Sequence, residues 1–381
     1  MSLTDTLPTD WRYLSEGGAT IVLSYNGPTN PFFDRTVLRL RKTALAAQNT
    51  EHASEDDPAI EFQTKCIERL IPPAYLPRLE SVTLGRAWLM KLAASCESDR
   101  PLERRQKDCI DVNRQKGVVA TDLVGGPGIA VEIKPKWGFL PSATYLSDAT
   151  RPIKTRTCRF CMHAYLKAQQ GDVASLGYCP LNLFSGDEAC MRTALNNLWD
   201  AWVASDGAVN NLKVFVHGKK IGPTEQSAIA GLTGVADPKD GLTAALLTVL
   251  AGSPVLRTLA RLQRRLDSLD IEGLAALRGI SPVGADPTIA EWSAFISAYL
   301  AAPLPPADAP HLRHHVLAHL LSATFKDCSI IVRVPDRTVT VIDLDPKGVD
   351  RLAKWERLDR DIVSAYVAVP DPKVCADANC P

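Results

Sequence analysis

Between Lys134 and Lys167 the sequence carries seven Lys or Arg residues (Lys134, Lys136, Arg151, Lys154, Arg156, Arg159 and Lys167) against one acid, Asp148. The whole chain has 43 basic and 43 acidic residues, so this run is a local positive patch and not a reflection of bulk charge. Its first part, VEIKPKWGFLPSATYL (131–146), spaces Glu132, Lys134 and Lys136 by two. On an extended segment that spacing puts all three side chains on one face. Two adjacent ammonium groups repel unless an anion sits between them. In CRFCMHAYLK, His163 and Lys167 stand four apart, which places them on one face of a helix. A solvated basic surface would account for the patch taken alone. A nucleic-acid groove fits it poorly, because aromatics do not interleave with the cations as a stacking platform requires. A compact, highly phosphorylated small molecule suits a short, dense patch better.

Acids with a complementary chemistry follow near the C-terminus. Asp327 precedes the apolar run CSIIV; Asp343 and Asp345 close the run TVIDLD, again spaced by two; Lys347 and Arg351 come directly after. Paired carboxylates at a strand end are hard oxygen donors that suit Mg²⁺, although an Asp in a strand-to-helix turn is also an ordinary cap. Near the N-terminus, Gly17-Gly18-Ala19 lies between two apolar stretches, and VLRLRK follows with Arg39 and Arg41 on one face of a strand. Gly-Gly alone is an ordinary hairpin turn. Joined to a cation on a following strand, it resembles a loop that drapes N–H groups over nucleotide phosphates. Metal carboxylates, cations for the acceptor and an acid to take a proton are the parts phosphoryl transfer needs. From residues alone the reading is an ATP-dependent phosphotransferase acting on an anionic acceptor.

The elements that must hold these groups read as follows. Residues 11–42 form a hairpin and a further strand; 56–75 are helical; VVATDLV and GIAVEIK are strands around a Gly-Pro-Gly turn. Helices are expected over 158–170, 186–204, within 240–279, over 311–325 and from Lys354 onward, with a strand at 212–218. DCSIIVRV and TVTVIDLD pair as a hairpin across Pro335-Asp336-Arg337. The expected class is α+β, with a β-rich N-lobe over 1–118, a hinge over 119–130, a larger mixed C-lobe over 131–370 and a loose tail over 371–381. At 381 residues, 46% of them hydrophobic and 23% charged, the composition is that of a globular chain. No run of about 18 apolar residues marks a membrane span, and MSLTDTLPTDW lacks the basic and apolar regions of a signal peptide. The ten cysteines are irregularly spaced. They read as free thiols of an intracellular protein, cytoplasmic or nuclear. Cys158 and Cys161 form a CxxC with no second pair at zinc spacing.

EIKPKWGFLPS (132–142) closely resembles a signature of the inositol-pentakisphosphate 2-kinase family. RPLER (100–104), RFCMH (159–163), LFSGD (183–187), NNLKVF (210–215), KDCSI (326–330) and IDLDPK (342–347) resemble other family segments in the same order, as do GGATIVL and LDRDIVSAY (358–366). The resemblance implies transfer of the γ-phosphate of ATP, with Mg²⁺, to the 2-hydroxyl of inositol 1,3,4,5,6-pentakisphosphate, giving inositol hexakisphosphate (phytate). It implies a divergent protein-kinase-like, two-lobed fold with a helical inositol-phosphate-binding region. It implies that Gly17, Gly18, Ala19, Thr20, Arg39 (or Arg41), Asp122 and Glu132 serve the nucleotide. Lys134 would meet the transferred phosphate, Asp327 would be the base, and Asp343 with Asp345 would hold Mg²⁺. Arg104, Lys136, His163, Lys167, Asn210, Asn211, Lys347, Arg351 and Trp355 would line the acceptor pocket. A catalytically inactive inositol-polyphosphate-binding scaffold is the alternative; it would lack Lys134, Asp327 or Asp343, and all three are present. Trp355 stands where the family usually has Tyr, which keeps a stacking surface but exchanges a hydroxyl for an indole N–H. Plant relatives carry a Cys/His zinc site in the C-lobe. No Cys lies between Cys190 and Cys328 here, so no structural zinc is expected. The partners expected are the two small-molecule substrates, with the chain acting as a monomer, away from membranes and without direct nucleic-acid contact.

Overall fold

A computed structural model describes residues 3–45, 57–279 and 282–376 of an α+β protein that forms two compact units. The first comprises Met1–Thr64 and Pro77–Gly126, the second Lys65–Leu76 and Pro127–Pro381.

The first unit is built on strands β1 (Trp11–Glu16), β2 (Thr20–Tyr25), β3 (Thr36–Ala44), β4 (Leu79–Thr83), β5 (Asp108–Ile110) and β6 (Lys116–Thr121). They form an antiparallel sheet in the order β1-β2-β3-β6-β4, with β5 paired to β3. Period-two alternation sends Ile21, Leu23, Leu38 and Leu40 to one face, where they pack with Leu89 and Leu92 of the helix Arg86–Cys96. Beneath β1 and β3, Arg100 and Lys42 share Glu16 and Asp108, with N···O distances of 2.7–3.0 Å. This largely buried cluster, with only Asp108 partly exposed, is a structural use of Arg100, since each ion is matched by opposite charge.

In the second unit, β7 (Ile129–Ile133), β8 (Leu212–Val216), β9 (Lys219–Ile221), β10 (Ser329–Arg333) and β11 (Thr338–Ile342) form an antiparallel sheet in the order β11-β10-β7-β8-β9. Every residue of β7 and β10 is buried, as expected for central strands. The expected β10–β11 hairpin is present, with Ser329 opposite Ile342. The helices Arg159–Gln169, Val255–Leu266, Leu312–Asp327 and Arg351–Val367 frame the rest. Val255–Leu266 shows why the chain is helical here: Leu256, Leu259, Leu262, Gln263 and Leu266 are buried at i, i+3, i+4 spacing while Arg257, Arg261 and Arg265 face out. Among the described residues no single helix is long and apolar enough to cross a membrane.

Three expectations change. The helix anticipated over 56–75 is shorter, Pro58–Lys65: the backbone leaves helical geometry at Cys66 (φ −121°), single turns follow at Ile67–Arg69 and Pro73–Tyr75, and Pro72-Pro73 bars any helix through to 75; residue 56 lies outside the described residues. Extended geometry through Glu132, Lys134 and Lys136 stops early: β7 ends at Ile133 and Lys136 has φ +67°, which breaks the alternation. Residues 371–376, anticipated as loose, are held: Thr157 Oγ1 donates to Lys373 O, Lys373 N to Tyr366 Oη, and Cys375 N to Arg156 O.

Candidate active site

In the second unit a cavity of about 430 Å³ opens among the loop after β7, the helix Arg159–Gln169, residues 208–211 and the facing ends of Leu312–Asp327 and Arg351–Val367. Among the described residues six Lys or Arg side chains line it (Lys136, Arg159, Lys167, Lys326, Lys347 and Arg351), together with His163 and His319, against a single carboxylate, Asp327. So concentrated a positive field in a concave site selects an anion of high charge. Asn210, Asn211 and Trp355 also line it.

Asp327 ends the helix Leu312–Asp327, just before β10. Lys136 Nζ donates to its Oδ1 at 3.0 Å and Lys347 Nζ to its Oδ2 at 3.2 Å. Burial favours the neutral acid, but the two ammonium groups outweigh it and hold the carboxyl below its ordinary range. Gln263, fully enclosed, fixes the backbone on both sides. Its Nε2 donates to Lys136 O and Phe325 O, both at 2.9 Å, and its Oε1 accepts from Gly138 N at 2.7 Å. One side chain thus ties the lysine loop to the helix end that carries Asp327.

Lys134 lies beside this group. Its backbone N donates to Asn211 O, and the Asn211 amide donates back to Lys134 O. Burial lowers its pKa, yet Asp343, Asp327 and Glu132 reverse the effect and keep it above the usual lysine value. Lys134 Nζ donates to Asp343 Oδ2 at 3.4 Å. The Ser329 hydroxyl lies 3.1 Å from both that oxygen and Glu132 Oε1, and Glu132 is paired with Lys213 at 2.8 Å. β11 ends at Ile342 and Asp343 has φ +62°, so Asp343 and Asp345 do not alternate along a strand as expected. The turn leaves the Asp343 carboxylate half exposed, with Asp345 exposed two residues on.

His163 reports the field of the cavity. Burial, then Arg159, Lys167 and Lys136, push its pKa down to about 4, so it is neutral at pH 7. The wall behind it contains residues that sequence reasoning passed over. Trp137 is flanked by Lys326 Nζ at 4.0 Å and the Arg159 guanidinium at 4.9 Å from its ring centroid. Lys326 is buried and paired with Asp267, which also accepts from His319 Nδ1 at 2.8 Å. Arg159 pairs with Asp359, which in turn holds the buried Lys154. Lys326 had one local signal, its place beside Asp327; Trp137 lies in the segment EIKPKWGFLPS and His319 in the helix expected over 311–325, and neither was singled out.

The remaining candidates lie in the first unit. Gly17-Gly18 joins β1 to β2, neither glycine has a positive φ, and an added Cβ on either meets nothing within 4 Å. Ala19 O accepts from Lys42 N, and Thr20 opens β2. Arg41 is taken by Asp57 in a two-point pair at 2.6 and 2.7 Å, while Arg39 is half-buried two residues before it. Asp122 spends its carboxylate on Ser24 Oγ and on the N–H groups of Val124 and Gly125. Arg104 is exposed on the short helix Leu102–Arg105.

The CxxC does not stand alone. Cys158, Cys161, Cys179 and Cys375 are all buried, and their sulfurs lie within 4.8 Å of one another. A sequence search for a nearby second pair could not find Cys375, which the fold returns from the end of the chain.

A polyanion cavity with one carboxylate between two lysines, in an α+β scaffold, defines the class: a protein built around a highly phosphorylated small molecule. The sequence profile described as Inositol-pentakisphosphate 2-kinase matches residues 13–361. The chain is 34% identical to an inositol-pentakisphosphate 2-kinase of Cryptococcus neoformans var. neoformans serotype D over 94% of this chain and 93% of that protein. It is 27% identical to one of Arabidopsis thaliana over 96% and 95%, and 31% identical to one of Danio rerio over 56% and 44%. The chain belongs to the inositol-pentakisphosphate 2-kinase family.

Proposed function

We propose that this chain transfers the γ-phosphate of ATP to the 2-hydroxyl of inositol 1,3,4,5,6-pentakisphosphate, giving inositol hexakisphosphate. The observation that carries the reading is the cavity in which six Lys or Arg residues surround the single carboxylate of Asp327. Five phosphates need many cations, each charge-assisted contact contributing about 1.5–3 kcal/mol. Lys136, Lys167, Lys347, Arg351, His163, Asn210 and Asn211 hold the acceptor, and Trp355 offers a ring face and an indole N–H. The family resemblance implies Arg104 as a further acceptor contact; it belongs to the first unit and is not among the residues that line this cavity.

Asp327 orients the attacking hydroxyl and takes its proton. A carboxylate held below its ordinary pKa is a weak base, so the proton moves late, as the phosphoryl group reaches the oxygen. Lys134 stabilises charge on the transferring phosphate. Asp343 presents hard oxygen donors on a turn fixed by Lys134 and Ser329, with Asp345 nearby in sequence; this donor set fits Mg²⁺. When bound, the ion would neutralise charge on the nucleotide. We read the two units as lobes of a divergent kinase-like fold. The Gly17–Thr20 turn and Arg39 serve the nucleotide phosphates, Arg41 being committed to Asp57. The stretch at Asp122 acts through its backbone, since its carboxylate is occupied, and Glu132 orders the lysines beside it. None of the nine described cysteines is in a disulfide, which suits a reducing cytoplasm or nucleus.

The test is product analysis by anion-exchange chromatography after incubation with the pentakisphosphate, ATP and Mg²⁺, with Asp327→Ala as control. A hexakisphosphate peak missing from the control supports the reading. Tight pentakisphosphate binding with no product would overturn it in favour of an inactive scaffold.

A further inference from the structure

Among the described residues of the second unit two enclosed side-chain polar atoms lack a hydrogen-bond partner, Trp202 Nε1 and Ser175 Oγ, and of the two residues Ser175 alone lines the cavity. Ser175 is 3% exposed, and Val173 and Ala174 line the cavity beside it. Buried hydroxyls in folded proteins almost always find a partner, because the group otherwise gives up a bond to water and gains nothing. The chain brings this one to the cavity by its local geometry. The helix Arg159–Gln169, whose His163 and Lys167 face the cavity, is closed by Gly171 at φ +77°. Asp172 N donates to Lys167 O at 2.9 Å and Gly171 N to Ala168 O at 3.1 Å, a closure that reverses the chain, and the residues that follow line the same cavity as the helix. The far end of this loop is held as well. Tyr178 N donates to Ser175 O at 3.2 Å, and Asn197 Nδ2 donates to Gly177 O at 2.9 Å. The buried Tyr178 hydroxyl donates to Pro135 O at 2.9 Å, between Lys134 and Lys136. Between these anchors the N–H groups of Val173, Ala174 and Ser175 have no backbone acceptor among the described residues.

We propose that Ser175 is a further acceptor-binding residue, whose hydroxyl donates to one phosphate of the inositol pentakisphosphate and is presented to it by the loop 171–177. This deepens the reading of the cavity as the acceptor site and rests on it. A serine hydroxyl hangs on a single torsion, so a change of χ1 rotamer turns the enclosed oxygen toward a ligand. A phosphate oxygen suits it: the charged acceptor takes the O–H, and no carboxylate of the loop lines the cavity to compete. The contact differs in kind from those of the lysines and arginines. A cation attracts any phosphate within its field, whereas a neutral hydroxyl contributes only where a phosphate oxygen stands at hydrogen-bond distance. Ser175 therefore reads the position of one phosphate and not the total charge. Because the hydroxyl is orphaned in the free protein and paired in the complex, its contribution appears wholly on binding.

The test is calorimetric titration of the full chain and its Ser175→Ala variant with the pentakisphosphate and with the tetrakisphosphates that each lack one of its phosphates, beside the thermal midpoints of the free proteins. Ser175→Ala should weaken pentakisphosphate binding about 10-fold in Kd and raise KM by the same factor with kcat kept. The midpoint of the free variant should not fall, because no bond within the protein is lost. Against the tetrakisphosphate that lacks the contacted phosphate the penalty should vanish. Leu176→Ser, at an exposed neighbour outside the cavity wall, keeps the parent Kd. A Ser175→Ala Kd within about twofold of the parent would show that water serves the hydroxyl as well as phosphate does, and the proposal would fall. It would fall equally if the loss were the same for every tetrakisphosphate and the midpoint dropped, which marks a structural role. A parent chain that does not bind the pentakisphosphate would remove the acceptor reading of the cavity itself, and this proposal with it.

Discussion

Replacing Asp327 by Asn separates two effects that the site combines. The substitution keeps shape but removes the charge and the basic oxygen. Loss of a positioned base costs about 10²–10⁴ in turnover. Binding should move the other way. In the free protein the carboxylate competes with phosphate for Lys136 and Lys347, at 3.0 and 3.2 Å. Its side chain is 55% exposed, so each pair is screened and contributes about 0.2–1 kcal/mol. Freeing both lysines then adds about 0.4–2 kcal/mol to the affinity for a polyanion, which is about 2- to 30-fold in Kd. The assay is single-turnover product formation beside calorimetric titration with the pentakisphosphate, on the same preparation. A kcat within tenfold of the parent would remove Asp327 as the base. A Kd weakened in proportion to kcat would show that the residue shapes the cavity and does not act in chemistry.

Arg351→Ala should raise KM for the pentakisphosphate about 10- to 100-fold, the value of one charge-assisted contact, with little change in KM for ATP; equal shifts would refute its placement at the acceptor. His163 is neutral above pH 6.5 in the free protein. Because its folded pKa is depressed to about 4, the stability it allows is present above about pH 6.5 and is lost as pH falls toward 4. A bound polyphosphate reverses the repulsion and raises that pKa, so the complex takes up a proton: calorimetry in two buffers near pH 6 should show uptake that His163→Gln abolishes. Gln263→Leu leaves one N–H and two carbonyls of the Lys136 loop and helix end unpaired. At about 3 kcal/mol it should lower the melting midpoint by roughly 4–5 °C and reduce kcat through a displaced Lys136; an unchanged midpoint would show that those groups find other partners.

Much of this protein was legible in its sequence. The Gly17-Gly18 hairpin, the β10–β11 hairpin and the long helices follow from local periodicity and turn chemistry, which short stretches carry by themselves. So does the basic character of the cavity, because Lys136, His163, Lys167, Lys347 and Arg351 sit in short motifs whose residue types already favour an anion. What the tertiary structure decided is which of these groups meet. Lys136 turns toward Asp327 because its backbone is left-handed and Gln263 bonds the loop on both sides, a constraint between residues far apart in the chain. Arg41 and Asp122 looked available and are spent on Asp57, Ser24 and a turn, since a buried polar group must find a partner wherever the fold provides one. Cys375 had no local signal at all. A cluster of four thiols needs only that four sulfurs occupy one small volume, and sequence spacing constrains that volume only when the residues are neighbours.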